Sequence, residues 1–87
     1  MIKMKKDKKY TYIVQSNLKK IIDERGISIR QLAEDSDLKF ETVRRLYHDN
    51  TVQYHRESIG AICYTLGIEI DELLKLKKVE RKDDKAE

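Results

Sequence analysis

The chain has 87 residues, 40% of them charged, with 19 Lys and Arg against 16 Asp and Glu for a net charge of +3. A chain this short supports one small domain with a modest core, burying roughly 60–65% of its unfolded surface. The absence of any run of about 20 apolar residues excludes a membrane-spanning helix, and the single cysteine excludes an internal disulfide framework.

Residues 1–10 read as a basic N-terminal arm, with Lys3, Lys5, Lys6, Lys8 and Lys9 set against Asp7. The arm leads into Tyr-Thr-Tyr rather than a long apolar run, so it is not expected to be a secretory signal. The domain proper is expected over residues 11–77, with a charged C-terminal tail over 78–87. There is no proline and there are only three glycines, and apolar residues concentrate between Ile13 and Leu76. This composition predicts an all-α, compact domain of five helices.

The first helix is expected to start near residues 11–15, with Val14, Leu18, Ile21 and Ile22 on one stripe, and to stop where Gly26 can turn left-handed. Ser28 is the natural cap of the second, with Gln31 reaching back and Ile27 stapling onto Leu32. Its stripe is Ile29, Leu32 and Ala33. After a turn through residues 36–38 the third helix is expected over 40–48, carrying Phe40, Val43, Leu46 and Tyr47. A polar loop follows over 49–55. The fourth helix spans 56–66 and buries Ile59, Ile62, Cys63 and Leu66 before Gly67 stops it. The fifth begins near Glu69, with Glu69, Asp71 and Glu72 in its first turn facing the positive end of the dipole. Ile70, Leu73 and Leu74 are expected to face inward, leaving Leu76 and Val79 off the stripe. Tyr47, Tyr54 and Tyr64 are expected at the core margin.

The second and third helices are separated by only three or four residues, so they must cross steeply. Such an αα turn with a polar outer face suits the major groove of DNA. With LKKIIDERGIS, QLAE, ETVRRLY and LGIEIDELL in this order and spacing, residues 18–74 resemble the Cro/C1-type helix-turn-helix family. IGAICYTLG is similar to its short phage-type branch. The resemblance implies a five-helix lambda-repressor-like fold and a DNA-binding repressor or regulator. It also implies a two-fold dimer on a palindromic operator.

On the third helix Val43 and Leu46 look inward, so Glu41, Thr42, Arg44 and Arg45 form the outer face and Phe40 stands at its tip. Arg45 is the first choice for reading a guanine, through O6 and N7 together, and Glu41 can accept from a cytosine amino group. Phe40 can pack on a thymine methyl, and Arg44 can meet a base or a phosphate. The other reading makes Glu41 and Arg45 a solvated i, i+4 ion pair. Ser28 and Arg30 at the start of the second helix, Lys39 ahead of the third, and His48, Asn50, Thr51 and Gln53 after it are candidate phosphate contacts. Loop solvation accounts equally well for the last four.

His48, His55 and a core Cys63 are too few for a metal site. No nucleophile stands with a base and no Gly-rich phosphate loop occurs, so neither catalysis nor a cofactor is expected. The expected partner is double-stranded DNA, in the cytoplasm, bound by a weak homodimer formed through the C-terminal part of the domain. The alternative is a protein-binding adaptor, such as an antitoxin-like partner, using the same helices.

Overall fold

The computed structural model describes residues 9–80. Residues 1–8 of the expected basic arm and the last residues of the expected tail, 81–87, lie outside the described residues. Seven elements follow in chain order: β1 (Tyr10–Ser16), α1 (Leu18–Arg25), α2 (Ile29–Ser36), α3 (Phe40–Tyr47), α4 (Arg56–Leu66), α5 (Ile70–Leu73) and β2 (Leu74–Glu80).

The helices are short, and four of them end in one way. Gly26, Asp37, Asp49 and Gly67 take left-handed backbone angles, with φ between 58° and 70°. After each, the next amide reaches back five residues: Ile27 to Ile22, Leu38 to Ala33, Asn50 to Arg45 and Ile68 to Cys63, at 2.9–3.0 Å. This closure satisfies the last carbonyls and reverses the chain. At α2 the expected cap holds, since Ser28 Oγ accepts from the Gln31 amide at 3.0 Å. The Gln31 side chain does not reach back, however, and donates instead to Asp35 Oδ1 at 2.9 Å.

The reversals fold the helices around one core of Leu18, Ile22, Leu32, Ala33, Val43, Leu46, Ile59, Ile62, Leu66 and Leu73. The buried Ser36 is accommodated because its hydroxyl donates to the Leu32 carbonyl at 2.6 Å. Arg25 donates to the Leu66 carbonyl at 2.7 Å, tying the end of α1 to the end of α4.

The domain is not all-α. β1 and β2 form an antiparallel two-stranded ribbon, in register from Tyr10 opposite Glu80 to Ser16 opposite Leu74. Val14, expected to open the first helix, lies in β1 opposite Leu76, and α1 begins at Leu18. The Tyr-Thr-Tyr-Ile-Val run is aromatic and β-branched, which suits a pleated strand better than a helix. Likewise the fifth helix is a single turn, and Leu74 starts a strand of alternating Leu and Lys. Of its expected inward residues Leu73 is fully buried and Leu74 half-buried, while Ile70 is exposed. The ribbon takes in Tyr10 from the expected arm and residues 78–80 from the expected tail.

The base of the ribbon is bonded to the helices. The Asn17 amide donates to the Leu73 carbonyl at 2.7 Å and Ser16 Oγ accepts from the Leu18 amide at 3.2 Å. The Ser16 amide donates to Asp49 Oδ1 at 2.8 Å. Asp37 and Asp49 therefore share a left-handed conformation but not a role. A glycine at position 37 relieves strain alone, so Asp37→Gly should raise stability by about 0.5 kcal/mol. Asp49→Gly also deletes the acceptor for Ser16 and should lower stability by about 1 kcal/mol. Asp49→Asn, which keeps an acceptor and tolerates the angle, should stay near wild type. Thermal or urea melts of the three variants check this.

Candidate nucleic-acid interface

α2 and α3 are joined by Asp37, Leu38 and Lys39, the left-handed Asp37 making the sharp turn. Leu38 packs against the core beneath it. Val43 and Leu46 are buried, so the outer face of α3 carries Phe40, Glu41, Arg44 and Arg45, with Thr42 half-buried at its side. This is the face expected from the helical wheel.

Its charges are not independent. Glu41 Oε1 accepts from Arg44 Nε at 2.9 Å, and Glu41 Oε2 accepts from an Arg44 terminal nitrogen and from Arg45 Nε, the last at 3.2 Å. One carboxylate thus holds two guanidinium groups, through i, i+3 and i, i+4 spacing on a solvated face. Hydrogen bonds from Arg44 first and Arg45 second hold the Glu41 carboxyl down to about 2. Phe40 is also engaged, because the Arg30 guanidinium of α2 lies 5.3 Å from its ring centroid. Two candidate contacts from different helices are thereby brought side by side.

Lys39 precedes α3 without a side-chain cap, and His55 precedes α4 in the same way. Both line two adjoining open clefts of about 430 and 400 Å³, together with Thr42, Thr51 and Gln53. Arg45 lines the second. The Thr51 hydroxyl is buried there and has no hydrogen-bond partner. Two uncapped helix starts and the cations Lys39 and Arg45 border this groove, and Asp37 and Glu41 line it as well, so it carries both signs of charge.

Of the phosphate candidates Lys39, Thr51 and Gln53 are therefore brought together, whereas Ser28, His48 and Asn50 stand apart from them. Ser28 caps α2. His48 closes α3 and meets the Tyr47 ring edge-on at 5.0 Å, and Asn50 bonds back to the end of α3. His55 was not marked by spacing, and its signal is indirect: α4 starts with no Ser, Thr, Asp or Asn to cap it. Tyr47 donates to Asp23 Oδ1 at 2.9 Å, tying α3 to α1, and Lys19 donates to Asp23 Oδ2 at 2.9 Å within α1. Tyr54 is half-buried beside β1, but Tyr64, expected at the core margin, is 89% exposed. Cys63 packs against the core, and burial, aided by Glu69 and Glu72, pushes its thiol up and away from the reactive thiolate. No metal-ligand cluster and no membrane-crossing helix occurs among the described residues.

A family model described as the Cro/C1-type HTH DNA-binding domain matches residues 17–78. The chain belongs to the Cro/C1-type family. No curated protein and no solved structure matches it. The Cro/C1-type match covers all five helices and most of β2 but begins after β1. α2 and α3, with the three-residue turn between them, both lie inside the matched span.

Because the folded value of Glu41 lies below its ordinary 4.5, its ion pairing contributes fully above that pH and is lost as pH falls toward about 2. An NMR titration of the Glu41 carboxyl should give a midpoint near 2. Arg44→Ala should move that midpoint back up, and a wild-type midpoint at the ordinary value would show the pairing to be absent in solution.

Proposed function

We propose that this DNA-binding regulator is a sequence-specific repressor that lays α3 in the major groove and binds a palindromic operator as a weak homodimer in the cytoplasm. The observation that carries the reading is the outer face of α3. Phe40, Glu41, Thr42, Arg44 and Arg45 are the base-contact set, mounted on a helix fixed from beneath by Val43 and Leu46. Arg45 can fork onto guanine O6 and N7, and Glu41 can accept from the paired cytosine. The adjoining groove with Lys39, Thr51 and Gln53 seats a backbone phosphate, while Ser28, Arg30, His48 and Asn50 border the same duplex and set register. No residue is assigned a catalytic, cofactor or metal role.

The test is selection from random duplexes, followed by titration of the recovered site. Arg45→Ala should keep the fold and its melting temperature yet lose about 1–3 kcal/mol of discrimination at one base pair. Unchanged sequence preference removes Arg45 from the base contacts. Failure of the wild-type chain to bind duplex DNA at any salt supports the protein-binding alternative instead.

The ribbon supplies the dimer surface in this reading. Leu76 and Val79 do not share a face, because they sit three residues apart in a strand. Leu76 is 72% exposed and lies opposite Val14, with Tyr12 on the same side, so these three form an apolar patch. A two-fold operator requires the paired domains to set their α3 helices about 34 Å apart, to meet successive major grooves. Leu76→Lys should shift sedimentation toward monomer and abolish cooperative binding to two half-sites, leaving half-site binding intact. Wild-type chain that stays monomeric and binds half-sites without cooperativity removes the dimer.

A further inference from the structure

Most exposed ion pairs on a helix do little more than add solubility. The arrangement on α3 differs in placement, because both arginines of the proposed base-contact set share one acceptor, Glu41, on the face presented to DNA. Arg44 is forked onto the carboxylate through Nε and a terminal nitrogen, which occupies one of the two edges through which it can fork onto a phosphate or a guanine. Arg45 engages it through Nε.

Approach to DNA therefore begins with a competition for the guanidinium groups. Away from the operator, a phosphate that takes the edge of either arginine facing Glu41 must displace the carboxylate, which is then left facing a polyanion with no donor. One that takes the terminal nitrogens left open meets a guanidinium whose charge Glu41 already offsets. At a matching G·C pair the exchange is balanced differently. Guanine O6 and N7 replace both acceptors for the arginine, and the cytosine amino group supplies the released carboxylate with a donor. The same change of partners is thus compensated at the right base pair and uncompensated elsewhere.

We propose that Glu41 sets the specificity ratio of this protein: by competing with the phosphate backbone for Arg44 and Arg45 it weakens non-specific binding more than operator binding. This role rests on the DNA-binding reading above. Glu41 is here a discriminating residue that acts through the two arginines as well as through its own base contact.

The test compares wild type with Glu41→Gln on random duplex DNA and on the operator recovered by wild-type selection, across a potassium chloride series. Each arginine freed to meet a phosphate should steepen the slope of log K against log salt on random DNA by roughly 0.9 and raise affinity about 5-fold near 0.15 M salt. Operator affinity should rise less than that or fall, so the ratio of the two declines. Glu41→Asp, one methylene too short to span both arginines, should lie between. In an Arg44→Ala, Arg45→Ala background the gain from Glu41→Gln should vanish.

A gain that persists without the arginines overturns the proposal, because simple repulsion between Glu41 and DNA then accounts for it. Equal gains on both DNAs, or none on random duplex, overturn it as well while leaving the regulator reading intact. A wild-type chain that binds no DNA overturns both. Circular dichroism of each variant confirms the helices, and amide spectra of α3 show whether its backbone is undisturbed.

Discussion

Left-handed closure at the helix ends is the constraint on which the rest of the domain depends. Helices of eight residues are too short to stand alone in water, so each must turn at once onto its neighbour and bury its stripe. A single residue at positive φ, followed by an amide that bonds back five residues, achieves that reversal within about three positions. The motif requires a residue that tolerates the angle. Glycine does so at Gly26 and Gly67, and aspartate does so at Asp37 and Asp49 with some strain. The turn from α2 into α3, and hence the presentation of the outer face of α3, follows from the closure at Asp37.

The helical part of this plan was legible because its signals are local. The Ser28 cap, the Gly26 and Gly67 stops and the inward pair Val43 and Leu46 lie within a few residues of the elements they specify. The ribbon was not legible in the same way. Val14 stands four residues before Leu18, which mimics a helical stripe, yet it belongs to a run of aromatic and β-branched residues. The alternation of Leu and Lys from Leu74 is a strand pattern hidden behind a one-turn helix. Neither strand has a turn linking it to its partner, since they come from opposite ends of the described chain, and register between distant strands leaves no local mark.

The candidate interface divides along the same line. Which residues face outward on α3 follows from periodicity, and so does the possibility of a Glu41–Arg45 pair. The prior claim of Arg44 on the same carboxylate depends on rotamers that spacing does not determine. The grouping of Lys39, Thr51, Gln53 and His55 depends on how the loop after α3 folds back toward the start of that helix. Asp49 shows how such a loop is positioned: it ends α3 with its backbone and holds β1 with its side chain. One residue thereby couples the end of α3 to the base of the ribbon.

The pairing of β1 with β2 also gives this small domain two folding regimes. The helices make contacts between near neighbours in sequence, which form early and quickly, whereas the ribbon must close nearly the whole chain into a loop. It should therefore assemble last and open first, as a cooperative unit that unzips from the Tyr10 and Glu80 end toward the bonds at Ser16, Asn17 and Asp49. Amide hydrogens in the strands would then exchange through a partial opening while those of α1 to α4 await global unfolding. In a dimer joined through the ribbon, association and the closing of each monomer's own chain become one equilibrium.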